Sequence, residues 1–344
     1  MKLERYAGNP ILSPTAGSDW EGLVTCNPGA WYEPDEGLVY VLYRAAGEDP
    51  AHRIHFGLAV SSDGLRFERA SDRPVFSPSA DNWDGGCVED PRIVKFGAWY
   101  FVTYASRPFP PGQYWRPDDA GARLPEGMAP EFPWLLRENA TSTGLAMTKD
   151  FRSWIRAGRI TDPRVDDRDV ILFPEKIDGR FAMLHRPMNW TGPEYGTEYP
   201  AIWIAFSDDL LDWSDSRLLV RADLAWENNK IGGNTPPIKT KYGWLTLYHA
   251  VGADRHYRIG ALVLDLDDPT RVLGRTIHWI LQPEEWYETS GFYPGCVFPC
   301  GTVVIGDTLY VYYGGADKYI GVATCSVEKL VRTALMCGMA DPDG

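Results

Sequence analysis

The sequence contains no apolar run that approaches the roughly 20 residues a helix needs to cross a bilayer. Residues 1–6 are polar and lack the apolar stretch of a secretory signal peptide. We therefore expect no membrane partner and a cytoplasmic location.

Metal-binding and disulfide patterns are also missing. The six cysteines include no Cys-x-x-Cys pair, and none has a histidine at zinc-site spacing. We interpret them as reduced thiols, and we expect neither a metal nor an organic cofactor.

Basic residues are scarce, with 34 Lys and Arg against 47 Asp and Glu, and the formal net charge is −13. Nucleic acid and anionic membrane surfaces both require a basic face on the protein. We therefore expect no nucleic-acid partner. On this acidic background, basic residues that converge on one place are informative.

The chain does contain a repeat. Five prolines are separated by 63, 83, 63 and 62 residues, and each opens a short apolar strand that is followed by a turn and an aromatic-rich second strand. They are Pro28, Pro91, Pro174, Pro237 and Pro299. A fixed period of small antiparallel sheets predicts an all-β fold, a five-bladed β-propeller. We expect one propeller over residues 1–344, with the starts of the inner strands facing one axial funnel.

The two chain ends are predicted to complete the fold. Residues 9–14 resemble residues 73–78 one repeat later, so we expect them to form the outer strand of the fifth blade and to seal the ring. Residues 327–344 are predicted to form a short helix or tail. Asp63, Asp150 and Asp208 follow the third strands of three blades and are interpreted as turn formers.

The longest interval between prolines contains an insertion at about residues 107–142 in blade 2. It is rich in proline and carries Tyr114, Trp115 and Trp134. A long aromatic loop on a rigid scaffold is often a binding loop. The alternatives are a contact within a homo-oligomer and a loosely ordered surface loop, and the sequence does not choose between them.

Polar residues lie at the strand starts and at the ends of the second strands, where a propeller directs them to its axis. The acids are Glu89, Asp90 and Asp317, and Asn27 stands at the first strand start. The basic and aromatic residues are Arg44, Arg168, Arg186, Lys230, Tyr248 and His249. The sequence therefore predicts one pocket that holds both acids and cations.

Several of these segments resemble the mannoside phosphorylases of glycoside hydrolase family 130, in particular the β-1,4-mannooligosaccharide phosphorylases. They are residues 86–93 (Gly-Cys-Val-Glu-Asp-Pro-Arg-Ile), 172–177, 184–187, 236–245 and 312–317. The resemblance runs in the same order from Asn9 to about Leu330. It implies a five-bladed propeller that cleaves β-mannosides with inorganic phosphate and inversion, yielding α-mannose 1-phosphate.

The resemblance also implies roles for single residues. Asp90 matches the general acid, which protonates the leaving oxygen through the mannose 3-hydroxyl. The residues that match phosphate contacts are Arg168, Arg186, Lys230 and His249. The residues assigned to the sugar are Asn27, Arg44, Glu89, Asp317 and Tyr248.

The residue types agree with this chemistry. An inverting glycosidase needs an acid and a base, with carboxyl groups roughly 6.5–9.5 Å apart. A phosphorylase needs only the acid, because phosphate is itself the nucleophile and cations must hold it. An inverting β-mannosidase and a non-catalytic sugar-binding propeller remain alternatives. So do structural ion pairs for Arg168 and Arg186, an exposed position for Lys230 and a core position for His249.

Overall fold

The computed structural model describes residues 1–80, 83–113, 115–116, 125, 127 and 129–338. The chain begins with the short strand β1 (Glu4–Arg5), and its remaining strands form five antiparallel sheets in sequence order. The fifth sheet takes β1 as its outer strand, which joins the two ends of the chain. The predicted five-bladed β-propeller is confirmed.

Each sheet runs outward from an inner strand at the propeller axis. Blade 1 comprises β2 (Val24–Glu33), β3 (Leu38–Ala46), β4 (His55–Ser61) and β5 (Glu68–Arg69). Blade 2 comprises β6 (Cys87–Phe96), β7 (Trp99–Arg107), β8 (Ser142–Thr148) and β9 (Trp154–Arg159). Blade 3 comprises β10 (Asp167–Leu172), β11 (Phe181–Pro187), β12 (Ile202–Ser207) and β13 (Ser214–Val220).

The inner position of blade 4 is divided between two short strands. Blade 4 comprises β14 (Lys230–Gly233), β15 (Ile238–Thr240), β16 (Gly243–Val251), β17 (Tyr257–Leu264) and β18 (Val272–Arg275). Blade 5 comprises β19 (Val297–Ile305), β20 (Thr308–Gly315), β21 (Tyr319–Ser326) and β1. The helices are α1 (Trp134–Arg137), α2 (Trp286–Thr289) and α3 (Val327–Gly338).

The hydrophobic core lies between the blades. Five large apolar clusters each combine side chains of two neighbouring sheets, and one of them joins blade 5 to blade 1. In that cluster Val41 and Ala59 of blade 1 pack with Val303 and Val322 of blade 5. Burial of apolar surface in every gap between blades therefore stabilises the ring as a whole.

Ring closure occurs as predicted, but residues 9–14 do not form the closing strand. Glu4 and Arg5 pair with Thr324 and Ala323, and residues 9–14 add only an isolated bridge between Leu12 and Ile320. The corresponding segment 73–78 likewise makes an isolated bridge, through Phe76. The repeated motif thus follows the short outer strand in both blades.

The repeating prolines mark the blades, but they do not all open strands. Pro28, Pro91 and Pro299 lie inside inner strands, next to places where the pairing register shifts. Pro174 follows β10, and Pro237 directly precedes β15. Proline lacks an N–H group, so it is tolerated at a bulge, where the ladder already lacks a hydrogen bond.

Aspartates form the turns that follow the third strands of blades 1, 2 and 3. Asp63 and Asp150 accept backbone hydrogen bonds within the turns that follow β4 and β8. In blade 3 this role belongs to Asp209 and not to Asp208, which forms an ion pair with Arg180. Of the predicted C-terminal helix or tail, residues 327–338 form α3, whose Leu330, Val331 and Ala334 pack on blades 4 and 5, and residues 339–344 lie outside the described residues.

Among the described residues, no helix combines the length and apolar character that crossing a membrane requires. All six cysteines lie in this part of the chain and are unpaired.

Candidate active site in the axial pocket

One pocket at the axis collects eight of the ten residues that the sequence singles out. They are Asn27, Arg44, Glu89, Asp90, Arg168, Arg186, Lys230 and Asp317. The other residues that line it are Ala105, Arg107, Thr141, Asp169, Tyr257, Tyr293, Cys296 and Phe298. Side chains from all five blades therefore meet at this site.

Local distortions of the inner strands direct three of these side chains. Asn27, Asp90 and Asp169 each lie at a register shift in β2, β6 and β10. Their φ angles are 46°, 53° and 53°, in the left-handed region that residues other than glycine rarely adopt. A bulge re-aims a side chain, and such backbone strain is concentrated at functional sites. The same distortion thus recurs in three blades.

Asp90 is held as a carboxyl group with an unusually high proton affinity. Burial raises the pKa of Asp90 from 3.8 to about 6, against the opposing charges of Arg44 and Arg92. Asn27 Nδ2 donates a hydrogen bond of 2.8 Å to Asp90 Oδ1. Arg44 Nη1 lies 3.8 Å from the same oxygen. A carboxyl group tuned in this way can donate a proton near neutral pH.

Two other carboxyl groups in the pocket are shifted in opposite directions. Glu89 forms an ion pair of 3.0 Å with Arg44. Burial alone would raise the pKa of Glu89, but Arg44 and Arg107 lower it overall. Burial raises the pKa of Asp317 above its usual value. Glu89 is therefore the carboxylate that stays ionised beside Asp90.

Three of the five basic residues that line the pocket, Arg168, Arg186 and Lys230, lie on its blade 3 and blade 4 side. Arg186 is buried, and its Nε lies 2.8 Å from Asp169 Oδ2 in an ion pair. Its Nη1 atom is buried without a hydrogen-bond partner within the described chain. Arg168 donates two hydrogen bonds, of 2.6 and 2.7 Å, to Asp166. The predicted ion pair of Arg168 therefore exists, and its guanidinium group also lines the pocket.

Lys230 is a cation whose charge is easily lost. Burial, together with the nearby charge of Arg186, lowers the pKa of Lys230 from 10.5 to about 7. Its Nζ atom lies 5.0 Å from the centre of the Tyr257 ring. A bound anion at this position would favour the charged form of the lysine.

Sequence reasoning missed Asp169, which organises this side of the site. Its carboxylate contacts Arg186, His249 at 3.7 Å and Arg92 at 3.3 Å. Burial raises the pKa of Asp169, but Arg186, His249 and Arg92 together lower it overall. Asp169 precedes Arg186 by the same number of residues that separate Asn27 from Arg44, and this spacing could have revealed it.

Arg92, which was also missed, links three blades beneath the pocket. It donates hydrogen bonds to the backbone oxygens of Asp90 and Asn234 and to the Asp169 side chain. It is buried, so these bonds replace solvation of its charge. Arg92 therefore fixes the backbone that carries Asp90.

Two predicted residues do not line the pocket. Tyr248 is buried between blades, where its hydroxyl donates a hydrogen bond to Glu227 and accepts one from Arg275. Its assignment to the sugar is wrong, because successive residues of a strand face opposite sides. His249 faces the axis but lies behind Asp169, and burial lowers its pKa well below 6.5. His249 does not line the pocket, so in this structure it is not placed to contact phosphate directly.

The insertion contributes to the pocket through its two ends, Arg107 and Thr141. Further along it, the Trp115 ring packs against Phe292 of blade 5 at 4.6 Å and against His52 of blade 1 at 4.5 Å. Trp134 begins α1. Tyr114, which the sequence also suggested, lies outside the described residues. Trp115 thus belongs to a contact between blades and does not itself line the pocket.

In the part of the chain that the structure describes, no three His, Cys, Asp or Glu side chains are grouped so that they could hold a metal ion.

The fold and the pocket together define a carbohydrate-active β-propeller enzyme. The family model for glycoside hydrolase family 130, described as β-1,4-mannooligosaccharide phosphorylase, matches residues 3–116 and 137–335. The chain belongs to this family. The stretch that the family model leaves unmatched falls within the insertion of blade 2.

Individual relatives cover nearly the whole chain. A 1,2-β-oligomannan phosphorylase from Thermoanaerobacter sp. (strain X514) is 38% identical over 336 residues, which cover 96% of this chain and 99% of the relative. A β-1,2-mannobiose phosphorylase from the same organism is 34% identical, with 96% and 99% covered. The solved complex of Listeria innocua β-1,2-mannobiose phosphorylase with β-1,2-mannobiose is 27% identical, with a TM-score of 0.77 and 98% and 100% covered.

Proposed function

We propose that the protein is an inverting β-mannoside phosphorylase, which transfers a mannosyl group to inorganic phosphate and releases α-mannose 1-phosphate and a shortened sugar. The observation that carries the proposal is that one pocket holds the Asp90 carboxyl group, whose pKa is raised, together with the cations Arg168, Arg186 and Lys230. An acid is needed for the leaving oxygen, and cations are needed for the phosphate nucleophile.

The proposed roles follow from the surroundings of each side chain. Asp90 supplies the proton, and Asn27 orients its carboxyl group through their hydrogen bond. Arg168, Arg186 and Lys230 hold phosphate, for which the buried and unpartnered Nη1 of Arg186 offers a donor. Glu89, Arg44 and Asp317 line the side of the pocket proposed for the mannosyl group. His249 supports the phosphate side indirectly, through Asp169.

For linkage, we propose a preference for β-1,2-mannosides over β-1,4-mannosides. The two relatives at 38% and 34% identity are named for β-1,2-linked substrates. The solved relative contains β-1,2-mannobiose. These similarities favour β-1,2 linkage over the β-1,4 linkage in the description of the family model.

The deciding experiment compares β-1,2-mannobiose and β-1,4-mannobiose, each with and without inorganic phosphate, and follows α-mannose 1-phosphate by ³¹P NMR and released mannose by ¹H NMR. We expect α-mannose 1-phosphate only when phosphate is present, and faster formation from the β-1,2 isomer. Equal cleavage without phosphate would establish the hydrolase alternative, in which a second pocket carboxylate activates water. Binding of mannoside without any cleavage would establish the sugar-binding alternative.

The proposed reaction needs no metal or organic cofactor, so dialysis against EDTA should leave the rate unchanged. The cytoplasmic location and the absence of nucleic-acid and membrane partners stay predictions. A homo-oligomer stays an alternative role for the insertion. Sizing of the purified protein at several concentrations tests the last of these.

A further inference from the structure

Four of the five blades share a buried contact, which we call the blade lock. A tyrosine of the second strand donates a hydrogen bond to an acid from the segment that precedes the inner strand, and that acid pairs with an arginine of the outer strand. The four locks are Tyr43–Glu21–Arg69, Tyr104–Asp84–Arg156, Tyr248–Glu227–Arg275 and Tyr313–Glu288–Arg5. The tyrosine hydroxyl and the acid lie 2.8 or 2.9 Å apart in each.

A glycine of the third strand makes room for each of these tyrosines. In blade 1, for example, Gly57 pairs with Tyr43, and a Cβ atom added to Gly57 would lie 2.2 Å from the tyrosine ring. The same pairing occurs between Gly260 and Tyr248 in blade 4. Each blade lock therefore depends on residues of its second, third and outer strands and of the segment before its inner strand.

Blade 3 departs from this rule at every position. His185 takes the place of the tyrosine, and Trp203 takes the place of the glycine opposite. His185 Nδ1 lies 2.8 Å from Asp167 Oδ2, and His185 Nε2 lies 2.7 Å from the Ser216 hydroxyl on the outer strand. The acid no longer comes from a preceding loop, since Asp167 is part of the inner strand β10 itself.

This change puts the lock beside the two arginines of the pocket. Asp167 directly precedes Arg168, and His185 directly precedes Arg186. Because side chains alternate along a strand, the arginines face the axis while Asp167 and His185 line a separate groove on the other face. The Asp167–His185 bond therefore joins the two strands that carry Arg168 and Arg186.

A short backbone ladder holds the two strands together around these arginines. Arg168 and Arg186 are direct partners across β10 and β11, with the Asp167–Pro187 pair on one side and a register shift on the other. Like charges directly opposite each other on a sheet repel. A backbone hydrogen bond from Met188 N to Asp166 O extends the ladder, and the ion pairs with Asp166 and Asp169 offset part of the repulsion. The buried Asp167–His185 bond is the side-chain contact that ties the two strands together at this point.

We propose that Asp167 and His185 are positioning residues for the phosphate site, because their bond sets the spacing of the Arg168 and Arg186 guanidinium groups. The inference rests on the proposed phosphorylase function. Blade 3 differs from the other four blades in this respect, because their locks stabilise the fold but do not adjoin a pair of arginines.

The test compares Asp167→Asn with Tyr43→Phe, which removes the corresponding bond of the blade 1 lock. For Asp167→Asn we expect the KM for phosphate to rise about tenfold, the effect of weakening one charge-assisted contact, while the KM for the mannoside stays unchanged. Tyr43→Phe should lower the Tm and leave the KM for phosphate unchanged. His185→Gln breaks the same bond from the other strand and should reproduce the phosphate-specific effect, so it tests the idea if Asp167→Asn does not fold.

Calorimetric titration with inorganic phosphate separates this inference from the proposed function. If the wild-type protein binds no phosphate, the phosphorylase proposal fails, and this inference fails with it. If the wild type binds phosphate and the folded variants bind it equally well, only the positioning role is overturned. A rise in the KM of both substrates, or the same loss in Tyr43→Phe, would also overturn it.

Discussion

Replacement of Asp90 by asparagine should lower kcat and, at neutral pH, raise the free energy of unfolding relative to wild type. The substitution removes the proton that the leaving oxygen requires, and general acid catalysis is typically worth ~10²–10⁴-fold in rate. It keeps the size of the side chain and an oxygen that can accept the hydrogen bond from Asn27. We therefore expect a folded protein with a kcat lower by this factor.

The stability effect follows from the raised pKa of Asp90, which moves from 3.8 to about 6 on folding. Because the folded pKa is the higher one, Asp90 contributes stability below pH 4 that is lost as pH rises towards 6. Two pKa units correspond to about 3 kcal/mol. The side chain is only 17% exposed, so solvent screening does not cancel this amount. Asparagine does not titrate, so the variant does not lose stability through ionisation at this position as pH rises.

Chemical denaturation of both proteins at pH 4.5 and pH 7.5 measures the effect. The free energy of unfolding of Asp90→Asn, relative to wild type, should be higher at pH 7.5 than at pH 4.5 by about 2 kcal/mol, because about a third of the effect lies below pH 4.5. Asp63→Asn is the matched control, because backbone hydrogen bonds lower the pKa of Asp63. Its stability relative to wild type should hardly change between these two pH values, because both its folded and its unfolded pKa lie below pH 4.5, and its activity should be normal. A pH-independent difference for Asp90→Asn, or retained kcat, would refute the assignment of the acid.

Three further predictions concern the phosphate side and the insertion. Arg186→Ala should raise the KM for phosphate by ~10–100-fold, since it removes a charged donor, with a smaller effect on the KM for the mannoside; equal effects in initial-rate kinetics would contradict the assignment. The KM for phosphate should rise as pH increases through about 7, where Lys230 loses its charge, and a flat profile would exclude a role for that charge. Trp115→Ala removes the contact of the insertion with Phe292 and His52 and should shift the insertion ends that line the pocket, so it should change acceptor preference in the synthetic direction and leave the phosphate KM unchanged. Unchanged acceptor kinetics together with a lost oligomer would instead assign the insertion to assembly.

The repeat of short aromatic strands was sufficient to predict the propeller, because each blade must bury its faces against two neighbours. The positions of the outer strands could not be predicted in the same way. The pairs Glu4–Arg5 and Glu68–Arg69 are only two residues long and carry no alternating pattern. Their positions depend on the neighbouring strand and not on their own sequence.

The site could be predicted where a short motif marked the bulge. Asn27 and Asp90 each precede a proline, whereas Asp169 precedes Val170, so the same backbone distortion in blade 3 was not visible in the sequence. Tyr248 was misassigned for a related reason. Strand alternation gives Tyr248 and His249 opposite faces, and only the register with β14 shows which of them faces the axis.

The choice between phosphorolysis and hydrolysis depends on the cations more than on the number of acids. Four carboxyl groups line the pocket, so a second carboxylate is available whatever the reaction. On the phosphate side, two acids, Asp166 and Asp169, face four cations, Arg92, Arg168, Arg186 and Lys230, so positive charge is in excess there. A water nucleophile would leave the buried Nη1 of Arg186 without a charged partner, whereas phosphate oxygens would satisfy it. An anion is therefore the nucleophile for which the electrostatics of this pocket are organised.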